Sequence, residues 1–290
     1  MGHAAHLGRR AGPPATPFPM RAARAVILAR GLGTRMRSAD PGATLTGAQR
    51  RAADAGQKAM MPIAGRPFLD FLLSAVADAG LRHAGIVVAP AHEELREHYG
   101  TISPPGRLTI DFIVQQTAAG TADAVLAAEP WTREEPFLVM NGDNLYPVPA
   151  LRALARLEDP GLPGFERDDL VQSSNIQPDR IASFALLAVD REGYLTGIVE
   201  KPSPDTVARA GAGAAISMNC WRFDARIFDA CRDVPRSARG ELELPGAVAL
   251  AVERGVRFRV LPARGPVLDL SGRSDAVEVE RRLAGVVPRP

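Results

Sequence analysis

Apolar runs of strand length alternate with stretches of helical periodicity along most of the 290 residues. That alternation predicts an α/β fold whose mainly parallel sheet is flanked by helices on both faces. Residues 24–29 (RAVILA) read as the first strand, and a polar, glycine-containing stretch over 30–57 follows it. Residues 67–79 then place Phe68, Leu72, Ala75 and Val76 on one helical face, with Gly80 as the C-cap. A strand near 85–89, a helix near 92–99, a strand near 108–114 and a helix opening at Gly120-Thr121 continue the alternation. Residues 137–140 form a short apolar strand that runs into Asn141-Gly142-Asp143-Asn144. Sites in such folds gather at the carboxyl ends of strands, so this tetrapeptide is well placed for chemistry.

Farther on, the polar, Pro- and Gly-bearing stretch 158–179 reads as a long excursion from the sheet. Residues 181–190 and 194–199 flank Arg191-Glu192-Gly193 as a hairpin, a strand lies near 214–223, and a last helix covers about 274–283. Residues 1–23 carry Arg, Gly and Pro without an apolar core, the composition of a disordered leader with Met20 as an alternative start, and 24–290 reads as one domain.

Composition narrows the function. A net charge of +2 gives no case for a nucleic-acid surface, and no run reaches the ~18 apolar residues of a membrane span. The two cysteines, Cys220 and Cys231, lack metal-ligand spacing and read as buried thiols of a reducing, cytoplasmic protein. The five histidines, His3, His6, His83, His92 and His98, stand apart from every motif and read as surface or structural residues. Among 35 basic residues only Lys58 and Lys201 are lysine, so each retained Lys points to a need for a compact ammonium.

The first chemical signal is Leu28-Ala29-Arg30-Gly31-Leu32-Gly33-Thr34-Arg35-Met36-Arg37. Glycines let backbone N–H groups close on an anion, and Arg35 can neutralise a phosphate. The dinucleotide fingerprint fails because Met36 fills its last glycine position, which argues against a nicotinamide enzyme, and no P-loop Lys follows. Further on stand Lys58-Ala59-Met60-Met61-Pro62-Ile63-Ala64-Gly65-Arg66-Pro67, then Gln115 five residues before Gly120-Thr121-Ala122, and then Glu200-Lys201-Pro202.

Together these segments resemble the sugar nucleotidyltransferases over about residues 24–283. The resemblance implies a Rossmann-like fold of the nucleotide-diphospho-sugar transferase type. It also implies transfer of a nucleotidyl group from a nucleoside triphosphate, UTP or dTTP by preference, to a sugar 1-phosphate with release of pyrophosphate. By that resemblance Arg35 and Lys58 support the transition state. Leu28, Ala29, Gly31, Leu32, Gly33, Thr34, Gly120 and Thr121 bind the nucleotide, and Gln115, rather than Gln116, reads the base. Asp143 binds Mg²⁺ with Asp269 from Val267-Leu268-Asp269-Leu270-Ser271-Gly272 as the second carboxylate, while Gly142, Asn144, Glu200, Lys201 and Asn219 hold the sugar phosphate. A hard cation taking one or two carboxylates plus phosphate oxygens is consistent with that pair.

Both lysines fall where the resemblance expects a phosphate contact. Arg30 stands where the family keeps a small residue, the 38–57 loop is long, and Ala185 replaces a glycine. A silent, nucleotide-sensing relative is the alternative, disfavoured because Lys58 and Asp143 are both retained. The expected partners are the triphosphate and the sugar 1-phosphate, without nucleic acid or membrane; homo-oligomerisation stays open.

Overall fold

The computed structural model describes residues 22–211 and 213–290, so residues 1–21 of the expected leader, with Met20, His3 and His6, lie outside the described residues, while Ala22, at the leader's expected end, is buried and donates its N–H to the Ala155 carbonyl at 3.0 Å. Among the described residues ten strands form one sheet. Its parallel half is ordered β6, β1, β4, β5, with β1 (Arg24–Leu28) between β6 (Phe137–Asn141) and β4 (His83–Val88), and β5 (Thr109–Val114) at the edge. β12 (Cys220–Phe223) joins β6 antiparallel and leads to β8 (Gly161–Glu166), β11 (Ala215–Ser217), β9 (Ala185–Val189) and β10 (Leu195–Val199). β13 (Arg259–Ala263) pairs with β8 in parallel. Two short ladders stand apart: β2 (Pro62–Ile63) with β3 (Arg66–Pro67), and β7 (Asn144–Leu145) with β14 (Leu268–Asp269).

Side chains alternate across the sheet and so feed two cores. Ala25 and Ile27 of β1, with Leu138 and Met140 of β6, pack beneath α3 (Phe68–Ala79) and α7 (Val148–Ala155). Val26 and Val139 point the other way, with Trp221 and Phe223, against α5 (Thr121–Ala127), α10 (Arg226–Asp233) and α11 (Leu244–Glu253). A third cluster joins Met36 of α1 (Thr34–Arg37), Ala53 of α2 (Gly47–Ala55), Ile63, Phe71 and Val279 of α12 (Arg273–Arg282). It clamps the last helix against the first loop and so brings β14 to β7. The shorter helices α4 (Glu93–Glu97), α6 (Glu129–Thr132), α8 (Arg167–Ser173) and α9 (Pro204–Ala210) fill connections.

The α/β class and most of the expected elements are found; four local readings change. The 30–57 stretch holds α1 and α2, and Thr46 and Gln49 close a capping box at the start of α2. The excursion over 158–179 contains β8, a buried strand. Its glycines are a packing requirement: a Cβ at Gly161 would lie 2.3 Å from the Arg259 carbonyl oxygen, and one at Gly164 would lie 2.7 Å from Val260 Cγ1. The strand expected from 181 begins at Ala185, after a 3₁₀ turn over Pro178–Ser183. The strand expected over 214–223 is broken at Met218-Asn219, where Asn219 takes a left-handed φ of 53°.

Candidate active site

The carboxyl ends of β1, β4, β5 and β6 open into a cleft of about 520 Å³. Leu28, Ala29, Arg30, Gly31, Leu32, Gly33 and Thr34 form one wall. Gly33 has φ 62°, and a Cβ there would sit 2.4 Å from the Gly56 carbonyl oxygen. No other residue type allows that backbone contact, which fastens the first loop to the segment leading into Lys58. Arg35 is exposed on α1 and does not line the cleft. Arg37, two residues on, does line it and donates to the Ala55 carbonyl at 3.0 Å. Sequence reasoning passed over Arg37 because a four-residue helix carries too little periodicity to orient its side chains.

Lys58 and Asp143 arrive from separate loops and meet in the cleft, Nζ to Oδ2 at 2.6 Å. Gly142 closes on β1 by donating its N–H to the Leu28 carbonyl at 2.9 Å. Behind Asp143, the β7–β14 ladder sets Asn144 opposite Asp269, and Asn144 Nδ2 donates to Asp269 Oδ1 at 2.9 Å. Arg180 forms an ion pair with Asp269 Oδ2 and a second with Asp275 at 2.6 Å. Asn175 donates to the Asp269 carbonyl oxygen and accepts from its N–H, both at 2.8 Å. Burial pushes the Asp269 carboxyl up, the nearby Asp143 charge pushes it further, and Arg180 opposes both. Asn175 comes from the stretch over 158–179 and Arg180 from the residue that follows it, where the polar composition gave no sign of a site.

The opposite wall carries Gln115, Gly120 and Thr121. Gln115 is 3% exposed, and its Nε2 donates to the Gly120 carbonyl at 3.0 Å and to Asp123 Oδ2 at 2.7 Å. Thr121 Oγ1 accepts from the Leu244 N–H at 2.8 Å, so its hydroxyl ties this wall to α11. Arg30 spans the two walls, its guanidinium 3.4 Å from the Gln115 and Gln116 carbonyl oxygens. His92, read from the sequence as peripheral, lines the cleft beside it, whereas His83 and His98 do not.

Asn144, Glu200, Lys201, Asn219 and Asp269 fall outside that lining. Asn219 opens β12 next to the end of β6, because Cys220 faces Met140, and Tyr146 Oη donates to the preceding Met218 carbonyl at 2.8 Å. Glu200 and Lys201 are exposed just beyond β10; Val199 lies opposite Leu186, next to the Ser217–Ala185 pair. Lys201, like Asn219, holds an uncommon left-handed φ, 44°. Such strain in non-glycine residues gathers at ligand sites.

The donor set suits one hard cation. Asp143 keeps Oδ1 for a metal, and Asp269 keeps lone pairs beside its partners, while a triphosphate would supply further oxygens. Among the described residues no three His, Cys, Asp or Glu side chains converge as a self-sufficient metal cage.

The sequence matches the nucleotidyl transferase family over residues 24–265. It is 28% identical over 258 residues to a glucose-1-phosphate thymidylyltransferase of Streptomyces antibioticus, covering 89% of this chain and 65% of that protein. It is 26% identical over 266 residues to the UTP–glucose-1-phosphate uridylyltransferase AglF of Haloferax volcanii, covering 90% of this chain and 96% of that one. The chain thus spans just under two thirds of the thymidylyltransferase's length. The fold is similar to that of a UDP-glucose pyrophosphorylase in its apo crystal structure, with a TM-score of 0.69 at 17% identity over 91% of this chain and 98% of that one.

Proposed function

Since the chain belongs to the nucleotidyl transferase family, we propose that it transfers a nucleotidyl group from UTP or dTTP to a sugar 1-phosphate, releasing pyrophosphate. The observation that carries this reading is the meeting of Lys58 and Asp143 at 2.6 Å in a cleft whose far wall holds Gln115. Three segments that carry the family resemblance, far apart in the chain, converge there.

In the proposed reaction a phosphate oxygen of the sugar 1-phosphate attacks the α-phosphorus. The new P–O bond forms in line as the bond to the β-phosphate oxygen breaks, and the electron pair leaves with pyrophosphate. Such a displacement depends on positioning and charge neutralisation, with no protein nucleophile. Lys58 spends one N–H on Asp143 and keeps two for phosphate oxygens. The Gly31–Thr34 loop lines the same cleft, where its N–H groups would meet the phosphates, with Arg37 as the cation on the lining and Arg35 carried over from the family resemblance although it lies outside that lining. Asp143, backed by Asp269, would hold Mg²⁺, which would neutralise phosphate charge when bound. Gly142, Asn144, Asn219, Glu200 and Lys201 form the sugar-phosphate side.

The reading takes residues 24–290 as one nucleotidyltransferase domain working in the cytoplasm. Among the described residues no helix is long and apolar enough to cross a membrane.

The experiment is a matrix of nucleoside triphosphates against sugar 1-phosphates, read by pyrophosphate release with Mg²⁺ present. Turnover with UTP or dTTP and at least one sugar 1-phosphate is expected. Tight binding of a nucleotide sugar with no turnover in any combination would make the chain a silent sensor instead.

A further inference from the structure

The Gln115 amide is not free to choose which end it shows the cleft. Its Nε2 carries two hydrogens, and both are used, one on the Gly120 carbonyl at 3.0 Å and one on Asp123 Oδ2 at 2.7 Å. Neither partner can donate: a backbone carbonyl and an ionised carboxylate only accept. A rotated amide would set Oε1 against two acceptors in a site where Gln115 is 3% exposed. The Gln115 backbone is fixed as well, its N–H donating to the Val88 carbonyl at 3.0 Å. An amide that could offer either a donor or an acceptor is thereby held as an acceptor, through Oε1.

From this geometry we propose that Asp123 is a positioning residue that sets base specificity by locking Gln115 as an acceptor. The proposal rests on the reading of Gln115 as the base reader. Uracil and thymine carry an N3–H that can donate to Oε1. Cytosine, nearly the same size, presents a lone pair at N3, which meets Oε1 acceptor to acceptor. Asp123 does not line the cleft, so it acts through Gln115. It sits in the first turn of α5, where a carboxylate also favours the helix dipole. That second role affects stability equally whichever nucleotide is bound.

The test is the ratio of kcat/KM for UTP to that for CTP, with one sugar 1-phosphate, in the unmodified protein and in Asp123→Asn, Asp123→Ala and Asp123→Glu. The unmodified protein should favour UTP by about tenfold or more, the cost of one buried polar group left unpaired. Asp123→Asn can donate to Oε1 and so permits the rotated amide. It and Asp123→Ala should bring the ratio down toward unity, chiefly through KM. Asp123→Glu, which keeps a carboxylate, should retain most of the preference. If the Asn and Ala variants fold, by thermal melt, and keep the original ratio, Asp123 does not set the readout and the proposal fails while the base reading stands. If the unmodified protein itself fails to prefer UTP over CTP, the reading of Gln115 fails and takes the proposal with it.

Discussion

Lys58 Nζ stands 2.6 Å from Asp143 Oδ2, a contact between residues 85 positions apart and both part-exposed, at 17% and 26% of their side-chain surface. An ion pair at that exposure contributes about 1 kcal/mol or less to folding. On the proposed reading the same ammonium would meet the phosphates, where it is worth far more to a transition state. Lys58→Ala should therefore cost about two to three orders of magnitude in turnover while leaving the melting temperature within a few degrees. Calorimetry beside a pyrophosphate-release assay checks it, and parallel losses of fold and rate would make the pair structural. Arg35→Ala, at an exposed position, should likewise spare the fold and slow turnover.

The carboxylate of that pair and the Asp269 carboxylate behind it should separate by variant. Asp143→Asn removes a cleft ligand whose protein partner is a part-exposed lysine, so metal-dependent turnover should vanish with the fold intact. Asp269 is 3% exposed and holds Arg180, Asn144 and Asn175. Breaking a buried pair costs about 3–5 kcal/mol, reduced here because Arg180 keeps Asp275. Asp269→Asn should destabilise by about 2–3 kcal/mol and also weaken the response to Mg²⁺. A denaturant titration of both variants alongside Mg²⁺ titration of turnover decides; a normal Mg²⁺ response in Asp269→Asn removes that residue from the metal site.

Two glycines of the first loop make a contrast inside one motif. A Cβ on Gly33 meets the Gly56 backbone at 2.4 Å at a φ of 62°, whereas a Cβ on Gly31 meets nothing within 4 Å. Gly33→Ala should destabilise by about 1–3 kcal/mol and misplace the Lys58 segment, and Gly31→Ala should stay within about 0.5 kcal/mol of the original. Equal melting temperatures for the two would show that the loops are not coupled through Gly56.

The sequence exposed the parallel half of the sheet because β1, β4 and β6 are short apolar runs, and β1 and β6 end at the glycine-bearing loops that carry motifs. Residues 158–179 stayed illegible for a physical reason. Gly161, Pro163 and Gly164 read as loop composition, yet the glycines are dictated by the close approach of β13 and β11. With β8 unrecognised, Asn175 and Arg180 could not be linked to Asp269, a contact 89 residues long for Arg180. The burial of Gln115 beside Asp123 was equally out of reach, since eight residues separate them across a strand end and a helix start. His92 carries no neighbouring pattern at all and reaches the cleft only because β4 ends beside β1.

His92 gives a pH dependence with a definite sign. Burial lowers its pKa below the ordinary 6.5, and the Arg30 and Arg96 charges lower it further. Its Nδ1 faces the Ala89 N–H at 3.4 Å, so a proton there would also oppose a donor. The unfolded chain consequently binds a proton more readily than the folded one between the two pKa values. The stability tied to neutral His92 is complete above about pH 6.5 and is lost as the pH falls through the lower, folded value. His92→Gln, which cannot titrate, should flatten that part of the curve. Melting temperatures of both proteins from about pH 8 to about pH 5 should converge in difference above the ordinary histidine range and diverge below it, with the variant losing less. Parallel curves across the whole range would mean that His92 titrates normally, and that Arg30 and Arg96 lie too far or too well solvated to act on it.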